Sequence, residues 1–145
     1  MNDNKIKVVF LGDTHVRHHR VDLPSGDLLC FTGDFMSSGY YEQEVLDFID
    51  WLKEISHKYI YIVCIAGNHD RYCESFPSYQ IKDMFEKHYD DGIRYIQNEG
   101  IILDFDDKGK LKLYGTPYQN FFCGWAWNIE NSKELEMVYE QIVYI

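Results

Sequence analysis

Short apolar runs and amphipathic stretches alternate along most of the chain. Three runs of strand length, at 6–11, 28–31 and 59–66, are dominated by apolar and partly β-branched residues. None of them alternates strictly between apolar and polar positions, which is typical of parallel strands that are buried on both faces. The pattern therefore predicts a parallel sheet covered by helices.

Helical periodicity lies between and after these runs. Between the second and third runs, apolar side chains recur at helical spacing at Val45, Phe48, Ile49, Leu52 and Ile55. A second helix is predicted over 78–88, with His88 on its packing face, and a third over about 135–142. Runs at 101–105 and 111–114 flank a turn-rich connection and predict an antiparallel hairpin. The predicted order is β, β, α, β, α, β-hairpin, α.

Composition narrows the class of protein further. A chain of 145 residues with 46% hydrophobic content can bury a core, and we predict a single domain over residues 1–145. The formal net charge of -10 repels polyanions, so no generic nucleic-acid binding is expected. No stretch approaches the roughly 20 apolar residues that span a bilayer, and no signal peptide is recognisable. The four cysteines form no Cys-x-x-Cys pair, which favours a reducing compartment. Together these observations predict a cytoplasmic protein with no membrane partner.

Each predicted strand ends in a glycine that is followed by polar side chains. The first motif is Leu-Gly-Asp-Thr-His at 11–15, the second is Thr-Gly-Asp at 32–34, and the third is Ala-Gly-Asn-His-Asp at 66–70. Because the carboxyl ends of parallel strands share one edge of a sheet, we expect the three motifs to converge there. The candidate metal ligands are Asp13, His15, Asp34 and Asn68.

These side chains form a mixed oxygen and nitrogen donor set. Such a set suits Mn²⁺, Fe²⁺ or Zn²⁺, and the absence of thiolates argues against a structural, Cys-rich zinc site. Two ions about 3.5–4 Å apart would activate a shared water and clamp the oxygens of an in-line phosphoryl displacement. A neighbouring imidazole could protonate the leaving oxygen. The pattern therefore indicates metal-assisted ester hydrolysis.

The three motifs resemble the opening motifs of the calcineurin-like metallophosphoesterases, which are Asp-x-His, Gly-Asp and Gly-Asn-His followed by Asp or Glu. Segments 115–117 and 124–128 are similar to the small metallophosphoesterase-domain proteins of that family. The resemblance implies an α/β fold, the family's α/β sandwich, with the N-terminal portion present and the C-terminal strands missing. It also implies a dinuclear, metal-dependent phosphodiesterase that acts on a small phosphoester substrate such as a cyclic nucleotide.

The resemblance further implies a role for each polar residue of the motifs. Metal ions would be held by Asp13, His15, Asp34 as the bridging ligand, and Asn68. His69 would be the acid near the leaving group, and Asp70 would orient His69. Mn²⁺ is the first choice of divalent metal ion, with Fe²⁺, Zn²⁺ or Ni²⁺ as alternatives. Members of the family are expected to bind two ions, and a chain without the family's later histidine ligands is expected to bind one.

Members of the family usually carry further histidine ligands late in the chain, whereas this sequence has no histidine after His88. We therefore expect the chain to be truncated before the strands that complete the metal shells. Three interpretations stay open. The chain is an active phosphoesterase, a catalytically impaired remnant or binding module, or half of an enzyme completed by a second copy in a homo-oligomer or by a complementing C-terminal fragment. An unpaired sheet edge would favour such association.

Two further groups of residues allow either a functional or a structural interpretation. His18 and His19 could face a phosphate, but the surrounding segment 17–20 is more typical of a solvated loop. The aromatic residues of segment 118–127 could stack a nucleobase, but side chains of this kind more often pack in a core. We interpret His57 and His88 as structural.

Overall fold

The computed structural model describes residues 5–87 and 89–144, and the side chains at 89, 143 and 144 also lie outside the described part. Four parallel strands form a sheet in the order β1, β2, β3, β4. They are β1 Val8–Leu11, β2 Leu28–Phe31, β3 Tyr61–Cys64 and β4 Ile93–Tyr95. The predicted parallel sheet of an α/β protein is confirmed. Strand β4 was not predicted, because three residues with Arg94 at their centre give no periodic signal.

Three of the described helices lie between strands of the sheet and pack on one of its faces, namely α1 Glu42–Ile55, α2 Arg71–Ser75 and α3 Ser78–Glu86. Helix α4 Ser132–Glu140 comes later in the chain. Helix α1 buries the apolar stripe that the sequence predicted, and it carries acidic residues in its first turn and Lys53 in its last, which favours the helix dipole. The predicted position of His88 on α3 lies outside the described residues. Across the described ranges, we find no helix with the length and apolar character that crossing a membrane requires.

A β-hairpin covers the opposite face of the sheet. It pairs β5 Glu99–Asp104 with β6 Lys110–Gly115 in antiparallel register, as predicted. Leu103 and Phe105 of this region pack with Leu28, Cys30 and Val63 of the sheet. A larger core lies between the sheet and the helices and is built around Phe31, Phe35, Phe48 and Phe85. The sheet is therefore the middle layer between helices and hairpin.

Burial differs among the strands. All four residues of β2 are buried, as predicted, whereas Phe10 of β1 is 70% exposed. The prediction of burial on both faces is thus wrong for β1. Within the described part of the chain, β1 pairs with β2 only and forms an edge of the sheet.

Candidate metal centre

The carboxyl ends of β1, β2 and β3 bring the three motifs together. The strands are parallel and in register, with Leu11 paired with Phe31 and Phe31 paired with Cys64. The polar residues that follow therefore leave the same edge of the sheet. One ligand atom each of His15, Asp34 and His69 lies within 4.8 Å of the other two. We refer to these three side chains as the strand-end site.

The His15 ring is oriented by a backbone carbonyl. Its Nδ1 atom lies 3.0 Å from the carbonyl oxygen of Met36, in position to donate a hydrogen bond. A proton on Nδ1 leaves Nε2 with a free lone pair, which is the form in which imidazole binds a metal ion. Met36 follows the second motif and was not identified from sequence, because a backbone acceptor has no side-chain signal.

The loops that carry the site adopt strained backbone conformations. Asp13, His15 and Asp34 have φ values of +55°, +44° and +60°, and the β-branched Val16 has +56°. Such conformations cost about 1–3 kcal/mol each and persist where surrounding contacts enforce them. The contacts here are backbone hydrogen bonds from Asp13 to Gly33, from His15 to Asp34 and from Val16 to Phe35 at 2.8–3.0 Å. The first two loops are therefore fixed against each other.

Asp34 lies at the centre of the site and is only 6% exposed. Its Oδ1 atom accepts a hydrogen bond of 2.9 Å from the backbone N–H of His69. Gly67 packs so closely that a Cβ atom at this position would overlap Asp34 Oδ1. The glycine of the third motif is thus required by close packing, as expected for a glycine where backbone and ligand approach each other.

Asp70 holds the motif loops together. Its carboxylate is fully buried and accepts hydrogen bonds from the backbone N–H groups of Asp34, Met36 and Gly67 at 2.7–2.9 Å. Burial raises the pKa of this carboxyl to about 7, and the three amide donors act in the opposite direction. The predicted orienting role toward His69 is corrected here. Asp70 positions the backbone of the second and third motifs and of Met36, and the buried Nδ1 atom of His69 has no hydrogen-bond partner among the described residues.

The two other predicted ligands, Asp13 and Asn68, follow strands β1 and β3 at the same edge of the sheet. Asn68 is half-buried, and its backbone carbonyl accepts a hydrogen bond of 3.0 Å from Ala126. The group of three convergent side chains does not include the Asp13 carboxylate. Metal ligation by Asp13 and Asn68 therefore stays a prediction.

The His69 ring is enclosed by other rings. It stacks on Trp125 with a centroid distance of 3.9 Å and meets the edge of His15 at 4.6 Å. The guanidinium of Arg71 lies 5.1 Å from the Trp125 ring and donates a hydrogen bond to the Gly124 carbonyl. These contacts were not predicted. The concentration of aromatic residues in segment 118–127 was the available signal, but it did not specify which ring reaches the site.

The structural interpretation of that aromatic segment is correct for only part of it. Trp127 is buried in the core, and Tyr118 packs against the core. Phe121 and Phe122 are 57% and 60% exposed, so they are not core residues. Trp125 contacts the strand-end site, but His69 and Arg71 already pack against its ring. A nucleobase would therefore need a different platform or a displaced Arg71 side chain.

The donor set of the strand-end site fits a divalent metal ion. His15 supplies a nitrogen donor and Asp34 an oxygen donor, and the His69 ring converges on the same point, with a buried nitrogen that has no partner within the part of the chain that the structure describes. Nitrogen and oxygen donors of this kind suit Mn²⁺, Fe²⁺ or Zn²⁺. The residues present could hold one ion.

Comparisons with known proteins identify related chains. A protein of Emericella nidulans named probable rhamnogalacturonate lyase C is 34% identical over 117 residues, which cover 80% of this chain and 11% of that protein. Human metallophosphoesterase domain-containing protein 1 is 29% identical over 141 residues, which cover 89% of this chain and 42% of the relative. A UPF0046 protein of Caenorhabditis elegans is 32% identical over 107 residues, 68% of this chain and 36% of the relative. The chain thus spans less than half the length of these curated relatives.

The matching family model covers nearly the whole chain. Its description is calcineurin-like phosphoesterase, and it matches residues 6–141. All three motifs, the parallel sheet and the hairpin lie within these bounds. The protein therefore belongs to the calcineurin-like phosphoesterase family.

Proposed function

We propose that this chain is a metal-dependent phosphodiesterase that acts on a small, cyclic-nucleotide-like substrate. The family indicates phosphoester hydrolysis with divalent metal ions. The observation that carries the proposal is the convergence of His15, Asp34 and His69 within 4.8 Å at the ends of three strands. When bound, a divalent ion supplies Lewis-acid activation of water and of the phosphoryl group.

The residues around this site have different proposed roles. His15 and Asp34 are the proposed ligands whose positions are best fixed, because Met36 orients the first and the backbone of His69 contacts the second. Asp13 and Asn68 are proposed to complete the donor set. His69 is proposed to donate a proton to the leaving oxygen, and Asp70 holds the backbone that presents Asp34 and His69.

The first experiment compares substrates and metal ions. We expect the metal-free chain, supplied with Mn²⁺, to hydrolyse bis(p-nitrophenyl) phosphate and a 3′,5′- or 2′,3′-cyclic nucleotide, with slower turnover of p-nitrophenyl phosphate. The release of p-nitrophenol and the chromatographic separation of nucleotides measure these rates. Turnover that is equal with and without Mn²⁺ would overturn the proposal. If the monoester were hydrolysed faster than both diesters, the proposed function would be restricted to phosphoester hydrolysis in general.

The proposed acid role of His69 is tested by the leaving group. A His69→Gln substitution should lower the hydrolysis of a cyclic nucleotide by about 100-fold or more, because the leaving ribose oxygen needs a proton. The effect on bis(p-nitrophenyl) phosphate should be far smaller, because p-nitrophenolate leaves without protonation. The matched control is His57→Gln, since His57 is exposed on the turn after α1. Equal losses with both substrates, accompanied by loss of metal, would make His69 a ligand instead of an acid.

A second candidate function is that of an enzyme half completed by a second copy or by a separate C-terminal fragment. The observation that favours it is the edge strand β1 with its 70% exposed Phe10. This side chain borders an apolar groove that Cys30, Val63, Ile65 and Leu113 also line. The molar mass measured by light scattering under assay conditions separates the possibilities. A monomer that turns over substrate needs no second copy.

A further inference from the structure

A second cluster of polar side chains lies outside the strand-end site. His18 and His19 occupy the short helical turn His18–Arg20 after the first motif, and Asp47 lies on α1. Nε2 of His18 is 3.0 Å from Asp47 Oδ2, and Nε2 of His19 is 3.3 Å from Asp47 Oδ1. The preferred interpretation of this segment as a solvated loop is wrong for His18, which is completely buried.

A purely structural role would explain only part of this cluster. His18 packs between Phe48 and Trp51 with centroid distances of 5.4 and 5.1 Å, and its bond to Asp47 ties the loop after β1 to α1. His19 is not packed in the core in this way, since its side chain is 44% exposed. Its ring nevertheless lies 4.6 Å from that of His18 and reaches the second oxygen of the same carboxylate. Two imidazoles thus converge on one carboxylate.

We propose that His18, His19 and Asp47 form a second metal site, for a borderline transition-metal ion such as Zn²⁺ or Co²⁺. One ligand atom of each residue lies within 4.8 Å of the other two. With metal-ligand bonds of about 2.0–2.1 Å, the donors of a tetrahedral zinc site are separated by roughly 3.3 Å. The two measured distances between nitrogen and oxygen are already close to this value.

The surroundings define what kind of site this is. Asp47 and His19 are each about half-exposed, which leaves the fourth coordination position to solvent. Without metal, Nε2 of His18 donates a hydrogen bond to Asp47, so a bound ion would take the place of this proton and the ring would then carry its proton on Nδ1. The buried Nδ1 atom of His18 has no acceptor in the described ranges of the chain, which costs stability once Nε2 coordinates an ion. The site should therefore exchange metal with chelators, unlike a closed structural zinc site.

The experiment uses the Asp34→Asn chain, in which the strand-end site is impaired. Titration with Co²⁺ should give the visible absorption of a four-coordinate ion with one saturable step. Zn²⁺ should compete for this site and raise the melting temperature. His19→Ala should weaken Co²⁺ binding at least about tenfold, because it removes an exposed ligand. His57→Ala in the same background is the matched control and should bind Co²⁺ normally.

The outcomes separate this proposal from the structural role of His18 alone. A purely structural His18 predicts that His19→Ala changes neither Co²⁺ binding nor the Zn²⁺-dependent shift in melting temperature. That result, or the absence of Co²⁺ binding in the Asp34→Asn chain, would overturn the proposal. Neither result would bear on Mn²⁺-dependent hydrolysis by the wild-type chain, since that reaction is assigned to the strand-end site.

Discussion

Replacement of Asp34 by Asn is expected to lower Mn²⁺-dependent hydrolysis of bis(p-nitrophenyl) phosphate by at least about 100-fold. Loss of a group that only orients a metal ligand commonly costs about 10–100-fold in metal affinity or activity, so loss of a ligand charge should cost more. Asp34 is nearly buried between the first and third motifs, and one side-chain oxygen already accepts a hydrogen bond from His69. The asparagine oxygen can keep this bond, while its amide group has no negative charge for the metal ion.

The fold should survive this substitution. The backbone N–H of Asp34 still donates to Asp70, and its carbonyl still accepts from His15. Far-UV circular dichroism and urea unfolding of Asp34→Asn should match those of the wild type. The same exchange at the exposed turn residue Asp107 supplies the control and should leave the rate unchanged. Undiminished turnover by Asp34→Asn would show that hydrolysis occurs elsewhere.

Replacement of Asp70 by Ala is expected to destabilise the chain by about 3–5 kcal/mol. The substitution leaves three backbone N–H groups without acceptors, and a buried donor without a partner costs about 1–3 kcal/mol. This loss is a large share of the about 5–15 kcal/mol that keeps a typical domain folded. The three donors lie in the second and third motifs or directly after the second, so the strand-end site should be disordered together with the fold.

Two further variants keep this prediction testable if Asp70→Ala does not fold. Asp70→Asn retains one oxygen but directs an amide group at a backbone donor, so it should be destabilised by a smaller amount, about 2–3 kcal/mol. Asp107→Asn should stay within about 0.5 kcal/mol of the wild type, as expected for an exposed position. Urea unfolding followed by Trp fluorescence measures all three. A loss below about 1 kcal/mol in Asp70→Ala would contradict the role given to its carboxylate.

The central part of the fold could be predicted from sequence because its signals are local. The apolar runs of β2 and β3 and the stripe on α1 reflect burial of neighbouring residues, and the structure has all three elements. Parallel pairing then places the strand ends on one edge, which is why the three motifs could be expected to converge. Strand β4 and the exposure of Phe10 depend on which strands are neighbours, and local periodicity does not contain that information.

The candidate site could be predicted at the level of motifs but not of contacts. The sequence identified His15, Asp34 and His69, which the structure brings together. It did not identify the carbonyl of Met36 that orients His15, because backbone groups are the same at every position. The role given to Asp70 was also wrong in detail, since its partners are backbone amides of two loops. Interactions of this kind become visible only when the loops are placed in three dimensions.

Metal content after equilibrium dialysis tests the strand-end site most directly. The wild-type chain is dialysed against Mn²⁺ beside Asp34→Asn and Asp107→Asn, and the metal in each sample is measured by inductively coupled plasma mass spectrometry. Binding to a preformed site requires its full ligand set. We therefore expect the wild type and Asp107→Asn to hold equal amounts of Mn²⁺, and each to hold about one ion per chain more than Asp34→Asn. No bound Mn²⁺ in the wild type, or the same content in all three chains, would contradict a metal centre at the ends of β1, β2 and β3.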